Sequence, residues 1–400
     1  MTKRIPIFAT KKKKMFPTVS HFLEYLFGIQ IPLPFNTFGM FVALAFIAAY
    51  WAFSKELQRK EADGLVYPVK KKVTTGAPAS LSDMILNALF GFVIGFKLLY
   101  AVFNYREFVA DPQNALMSWK GSWLGGLVLA AFFAWWDYKE KQKTRLEKPV
   151  TKEVLVHPYQ LMSTIVVWAA VWGFLGAKVF DSLEYWDEFV ADPIGRLTSF
   201  SGLTFYGGLI CGGAAVLYIA RKNGIKPVHM LDVGAPGMML SYAVGRMGCH
   251  FSGDGDWGIV NKNPKPFDWL PDWLWAYRYP HNVVGEGVPI PGCVGKFCNQ
   301  LPEPVYPTAI YEVIACLILF GVIWSLRKRI KAPGMLFGIY LIMNGVERFF
   351  VELIRVNSKY HVAGLSFTQA EMISSLLVVA GILLVIWSSR QPAELIKSKR

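Results

Sequence analysis

The chain has 400 residues, of which 54% are hydrophobic and 15% aromatic, and it carries a formal charge of +14. A soluble protein of this length would divide into about two or three domains. Here apolar runs recur instead, each near the ~20 residues that cross a bilayer, which excludes the soluble globular class.

Met1 to Pro17 is basic at Lys3, Arg4 and Lys11 to Lys14 and has no apolar core, so it does not read as a cleaved signal peptide. Phe16 to Ile31 suits a segment lying along the membrane interface. Membrane spans are then expected near 36–53, 83–103, 122–136, 158–181, 203–220, 230–250, 308–326, 334–353 and 368–388. That makes nine, the third being the shortest, and the fold class is all-α: a polytopic helical membrane protein with a small outer-face loop subdomain. The expected organisation is an N-terminal basic segment, 1–34, and a membrane body, 35–250. An extracytoplasmic loop subdomain, 251–307, a second part of the body, 308–390, and a cytoplasmic tail, 391–400, follow.

The basic residues follow the loops. Lys55 to Lys72, Lys139 to Lys152, Arg221 to Lys226, Arg327 to Lys331 and Arg390 to Arg400 hold roughly 23 Lys and Arg, against about 9 in the alternate loops. Cytoplasmic loops carry this excess, so the charge is topological and does not point to nucleic acid. The C-terminus lies inside, and nine spans put the N-terminus outside, against the basic character of residues 3–14.

An internal repeat lies within the first part of the body, at about 91–127 and 172–209. Glu107-Phe-Val-Ala-Asp-Pro112 recurs unchanged as Glu188-Phe-Val-Ala-Asp-Pro193, and Gly95-Phe96-Lys97 returns as Gly176-Ala177-Lys178. Trp123-Leu-Gly-Gly-Leu127 answers Phe205-Tyr-Gly-Gly-Leu209 after a one-residue slip. Each copy spans an outer loop between two helices, so the repeat is parallel. Inverted repeats mark many secondary transporters, and this one weighs against that class.

Ser252 to Tyr306 is the long loop, rich in Pro, Gly and Trp, including Trp257, Trp269, Trp273 and Trp275. It reads either as a cap where a second substrate docks or as a variable surface loop. Cys293 and Cys298 within it could pair if it faces an oxidising compartment. Cys211 and Cys316 sit in apolar spans and read as packing residues.

Charges mark the chemistry. Gly245-Arg246-Met-Gly-Cys249-His250-Phe-Ser-Gly-Asp254-Gly-Asp256-Trp-Gly258 closes an apolar span with an arginine, a thiol, a histidine and two carboxylates. Arg348, Glu352 and Arg355 stand at i, i+4 and i+7 near the end of another span and share one helical face. A lone arginine there would snorkel to the interface. Two arginine-bearing helices facing one cavity suit a phosphodiester, because the guanidinium fork matches phosphate oxygens. Glu312, one turn into the span opened by Tyr306-Pro307-Thr308, needs a partner such as an arginine. Tyr206-Gly207-Gly208 at a helix start fits either close helix packing or a site.

Taken in order, these segments resemble the prolipoprotein diacylglyceryl transferase family. The Gly-Arg-x-Gly…Gly signature is Gly245 to Gly258, and the (His/Tyr)-Gly-Gly-Leu segment is Tyr206 to Leu209. The Pro-(Ser/Thr)-x-x-Tyr-Glu segment is Pro307 to Glu312, and the Arg-Phe-x-x-Glu-x-x-Arg segment is Arg348 to Arg355. Weaker matches are Thr37 to Met40 and Leu365 to Gln369. The family usually has seven spans, and the duplicated unit accounts for two more.

The resemblance implies a bacterial inner-membrane enzyme that moves a diacylglyceryl group from phosphatidylglycerol to the lipobox cysteine thiol of a prolipoprotein. It implies Arg246 and Arg348 as phosphate-binding arginines, Glu352 as a support for Arg348, Gly258 as the signature's last glycine, and Asp254 or Asp256 at its acidic position. Glu312, Arg355, Gly207 and Gly208 complete the expected binding set, and no metal or other cofactor is implied. The chain departs from the family at Phe38, where Tyr is frequent, at Tyr206, often His, and at Cys249, often Asn, and its signature is one residue longer. Only a thiolate attacks well, with a free-cysteine pKa of ~8.5, so a base is expected. His250, or less readily Tyr206, is the candidate. The rival readings are a transporter or flippase for an anionic lipid, which would use the same arginines without breaking bonds, and a silent relative that binds signal peptides.

Overall fold

A computed structural model of the chain describes residues 15–29, 31–76, 78, 80–146, 149–199, 202–357, 359–362 and 365–391. Lys3, Arg4, Lys11 to Lys14, Ser201 and the tail beyond Gln391 lie outside them. The protein is mainly helical. Its first half contains α1 (Val19–Phe27), α2 (Thr37–Ala62), β1 (Val69–Thr75), α3 (Leu81–Phe103), α4 (Tyr105–Ala110), α5 (Pro112–Met117) and α6 (Trp123–Thr144). Then come β2 (Val150–Val156), α7 (Met162–Glu184), α8 (Trp186–Ala191), α9 (Pro193–Thr198), α10 (Phe205–Lys222) and α11 (Pro227–Ser252). The remainder holds α12 (Asp272–Trp275), β3 (Val288–Pro289), β4 (Asn299–Gln300), α13 (Thr308–Leu326), α14 (Met335–Glu352), β5 (Lys359–Val362), β6 (Leu365–Thr368) and α15 (Gln369–Ser389).

Each expected span falls on one helix: α2, α3, α6, α7, α10, α11, α13, α14 and α15. Five of these, α2, α3, α7 with its leading turn from Pro158, α13 and α15, are long and apolar enough to cross a membrane. The protein is a multi-pass membrane protein. Helix α6 outruns its expected span because it continues through the charged run Asp137 to Thr144. Lys141 there pairs with Asp83 of α3 at 2.6 Å and with Asp137 at 3.8 Å.

The chain divides into two compact units. One runs from Lys60 to Pro227 and contains both copies of the repeat. In each copy two antiparallel helices pack through glycines. A side chain on Gly95 would strike the Gly125 carbonyl, and one on Gly176 would lie 2.5 Å from the Gly207 carbonyl. Backbones this close need residues without a Cβ. Each copy also holds a lysine that would be costly at membrane depth if left unpartnered. Lys97 Nζ donates to the carbonyls of Ala115 and Lys120, both at 2.9 Å, and to that of Ser118. Lys178 Nζ donates to the Arg196 carbonyl at 3.0 Å and to Ser199 Oγ at 3.1 Å. The repeated sequence therefore builds the same device twice, a lysine pinning the loop between its two helices. The antiparallel ribbon of β1 and β2 belongs to this unit as well.

The other unit comprises the described residues up to Arg59 and those from Val228 onward. Its apolar core joins Ala235, Met239 and Ala243 of α11 to Cys316 and Ile323 of α13 and to Leu336 and Tyr340 of α14. Helices α14 and α15 approach closely at Gly338, Gly345 and Gly381. The buried Asp232 of α11 accepts from the Gly334 and Phe337 amides at 2.9 and 3.0 Å, satisfying donors at the start of α14. The segment 253–306 packs Trp257, Tyr277, Tyr279, Leu301 and Val305 together with Met15 into a second cluster. Cys293 and Cys298 are joined as a disulfide, with Cα atoms 5.5 Å apart.

At the far end of α2, Glu56 is fully buried and accepts from Arg327, which caps the end of α13, at 2.8 Å and from Arg59. Replacing Glu56 with Ala leaves Arg327 buried without its anion, a loss of about 3–5 kcal/mol. A clear fall in the thermal midpoint of the detergent-solubilised protein is expected, and an unchanged midpoint would show that the pair does not hold α2 to α13.

Candidate functional site

Three helices and one turn converge on Glu312. This glutamate lies one turn into α13 and is fully buried. Arg246 of α11 donates to its Oε2 through Nε and faces it also through Nη2. Arg348 of α14 donates to Oε1 at 2.7 Å, and Arg355, just beyond α14, stands 3.7 Å from the same atom. Tyr242, one turn before Arg246, adds its hydroxyl at 3.3 Å. The arginine faces expected from sequence therefore share one carboxylate.

A second carboxylate closes the ring. Asp256 accepts from Arg246 Nη1 and Arg355 Nη2. Glu352 faces Arg348 at 3.0 Å across one helical turn and accepts from Asn357 at 2.5 Å. All of these side chains are at least partly removed from water, where opposite charges interact several times more strongly than in bulk solvent.

Local backbone chemistry delivers Asp254 and Asp256. Gly253 and Gly255 have φ of 63° and 102°, a conformation that favours glycine and turns the chain sharply after α11. Gly258 then runs beside the end of α14. Its amide donates to the Tyr306 carbonyl at 2.8 Å, the next amide donates to Ile354 at 2.9 Å, and a Cβ on Gly258 would lie 2.5 Å from that same carbonyl. Thr308 Oγ1 donates to the Asp256 carbonyl at 2.9 Å, tying the turn to the start of α13. The signature's last glycine is thus the point where this turn is fastened to the start of α13 and to the segment just beyond α14.

Cys249 Sγ and one oxygen each from Asp254 and Asp256 lie within 4.8 Å of one another. Arg246 Nη1 is 3.5 Å from that sulfur and also bonds Asp256. A guanidinium in this position opposes a cation, so the trio does not fit a metal. The two aspartates differ in basicity. Burial and the neighbouring Asp256 charge hold the Asp254 carboxyl above its usual range. Burial also acts upward on Asp256, but the Arg246 and Arg355 guanidiniums outweigh it and hold that carboxyl low.

His250 is 3% exposed, and its ring sits among Phe251, Trp273, Tyr277 and Tyr279, with the Tyr279 hydroxyl 3.4 Å from Nδ1. Tyr206, Gly207 and Gly208 belong to the other unit, in the first turn of α10. There a Cβ on Gly207 would lie 2.5 Å from the Gly176 carbonyl and one on Gly208 3.2 Å from the Gly173 carbonyl, so both glycines serve the contact with α7. Sequence reasoning passed over Tyr242 and Asn357. Tyr242 had a legible signal, standing at i−4 from Arg246, whereas Asn357 is reached only through the turn after α14.

The model of the family described as prolipoprotein diacylglyceryl transferase matches residues 24–152 and 144–387. The first match contains one copy of the repeat and the second contains the other. A Staphylococcus saprophyticus protein named phosphatidylglycerol–prolipoprotein diacylglyceryl transferase is 29% identical over 223 residues, covering 56% of this chain and 72% of its own. Proteins of the same name from Chlorobaculum tepidum and Pseudomonas aeruginosa are each 25% identical, the latter over 68% of this chain and 90% of its own.

The two aspartates should respond to substitution in opposite directions. A carboxyl held low contributes stability above its unfolded pKa of about 4 and loses it as the pH falls through the lower folded value. A carboxyl held high carries the reverse sign, costing stability once ionised. Asp256→Asn should therefore lower the thermal midpoint at pH 7, with the difference from wild type shrinking below about pH 4. Asp254→Asn should leave it unchanged or raise it. Thermal unfolding in lipid nanodiscs from about pH 2.5 to 8 decides this, and equal destabilisation by both changes would contradict the assignment.

Proposed function

Because the chain belongs to the prolipoprotein diacylglyceryl transferase family, we propose that it moves the diacylglyceryl group of phosphatidylglycerol onto the lipobox cysteine thiol of a prolipoprotein. Glycerol phosphate is released in this first step of lipoprotein maturation. The observation that carries the reading is the convergence of Arg246, Arg348 and Arg355 on the buried Glu312.

The substrate phosphodiester takes up guanidinium donors that Glu312 and Asp256 hold in place. Arg246 and Arg348 are its main contacts, and Glu352 holds Arg348 in position. The peptide thiolate attacks the glycerol carbon bearing the phosphate. A carbon–sulfur bond forms, the carbon–oxygen bond breaks, and the electron pair leaves on a phosphate oxygen, where the guanidiniums offset the growing charge. Pre-set donors in a site of low polarity need little rearrangement as that charge develops.

The thiol proton passes to Asp254. Its carboxyl is the more basic of the pair and lies beside Cys249 at the open end of the turn. Environments that push two carboxyls apart mark the proton acceptor and its partner. His250, enclosed by aromatic rings, fits a positioning role between α11 and the 253–306 segment rather than the base expected from sequence. Tyr206 retains a place as a contact to lipid or peptide at the head of α10.

The topology completes the reading. All nine long helices cross the bacterial inner membrane, the C-terminus faces the cytoplasm, and the 253–306 segment forms an outer-face cap above the site. The disulfide in that segment supports an oxidising side.

Purified protein in nanodiscs, phosphatidylglycerol labelled in its acyl chains and a lipobox peptide provide the test. Label on the cysteine is the expected result. Label that only changes leaflet would favour a transporter, and bound but unmodified peptide would favour a silent relative. Arg246→Ala and Arg348→Ala should each remove at least about 2–3 kcal/mol of transition-state stabilisation, roughly 30- to 150-fold in kcat/KM. Folded variants with near-normal turnover would refute the phosphate grip.

A further inference from the structure

Glu347 stands one residue before Arg348 on α14. It is 8% exposed, yet neither of its carboxylate oxygens has a hydrogen-bond partner among the described residues. Its electrostatic neighbours are those of the site: Glu312, Arg348 and Arg246 act on it, and it acts on Tyr242, Cys316 and Tyr340. It therefore belongs to the same α11–α13–α14 cluster.

The arginines do not need this charge. Arg246, Arg348 and Arg355 already meet Glu312, Glu352 and Asp256, three guanidiniums against three carboxylates. Among the described residues, Glu347 adds no ion pair to that balance. A buried polar group without a donor also carries a desolvation cost. Such a group calls for a functional account, and here it is found in a donor that the substrate brings.

A phosphodiester brings no hydrogen-bond donor to the Glu347 oxygens, since its own oxygens only accept. The alcohol on the far side of that phosphate is different. A glycerol head group presents two adjacent hydroxyls, each able to donate one hydrogen bond, and Glu347 presents two acceptor oxygens side by side. We propose that Glu347 reads the head group, accepting hydrogen bonds from the glycerol hydroxyls while the neighbouring arginines hold the phosphate. This assignment rests on the transfer reading for its substrate class. It makes Glu347 a specificity-determining residue, because an analogue without the hydroxyls would leave the buried carboxylate unpaired, and sites built around a hydroxyl reject such analogues strongly.

The test compares three lipids with the same labelled acyl chains: phosphatidylglycerol, phosphatidylpropanol, which keeps the phosphodiester but has no hydroxyls, and phosphatidylethanolamine. Wild type, Glu347→Gln and Glu347→Leu are assayed in nanodiscs with a lipobox peptide, after confirming that both variants elute and melt as folded protein. Wild type should prefer phosphatidylglycerol to phosphatidylpropanol by roughly 100-fold in kcat/KM. Glu347→Leu should compress that ratio to within about 3-fold, with Glu347→Gln, which keeps one acceptor, in between. An unchanged ratio in Glu347→Leu would overturn the proposal, as would a wild type that prefers the ethanolamine lipid. So would an equal loss of turnover on both lipids with an altered pH profile, which would make Glu347 a proton acceptor instead. Lipid retention read by native mass spectrometry separates this proposal from the reaction itself. Glycerol-over-propanol retention that depends on Glu347, without any transfer to peptide, sinks the transferase reading and leaves the head-group assignment standing. Retention ratios equal in wild type and Glu347→Leu sink the assignment.

Discussion

Glu312 is the constraint around which the site is arranged. One buried carboxylate accepts from Arg246 and Arg348 and faces Arg355, so α11, α14 and the turn beyond α14 must meet at α13. Removing so many charges from water is costly, and an apolar replacement of equal volume would often be at least as stable. Stability is therefore a poor reason for the arrangement. Its effect is to hold three guanidiniums at fixed positions around one carboxylate.

Asp256 extends the same logic to the segment after α11. By bridging Arg246 and Arg355 it connects the Gly253–Gly258 turn to the arginine ring. The turn in turn carries Asp254 beside Cys249. Two aspartates two residues apart thus differ in basicity, one bonded by two guanidiniums and the other held high by burial and its neighbour's charge.

The repeat shows how a helix pair is made self-sufficient. Lys97 and Lys178 each bind loop oxygens in their own copy, and glycine-lined contacts draw each pair of helices together. The family resemblance divides at the same place, with one match ending at residue 152 and the other beginning at 144.

Much of this was readable from the chain. Each of the nine apolar runs falls on a helix of the described residues, and five of those helices are long and apolar enough to cross a membrane, because a bilayer demands continuous hydrogen-bonded backbone and apolar surface over a fixed length. The i, i+4 spacing placed Arg348 and Glu352 on one face of α14, but the helix ends before Arg355, which arrives from the turn beyond it; the need of Glu312 for a cation followed from its place in an apolar span. What the chain alone did not decide was which distant groups meet. Glu312 answers arginines 66 and 36 residues away, and nothing in local periodicity encodes such separations. Nor did it separate Asp254 from Asp256, whose difference depends on which one the guanidiniums reach. Sequence fixed the depth of each charge, since hydropathy is a local property; only tertiary packing assigned the partners, since pairing in a low-polarity interior depends on distance across helices.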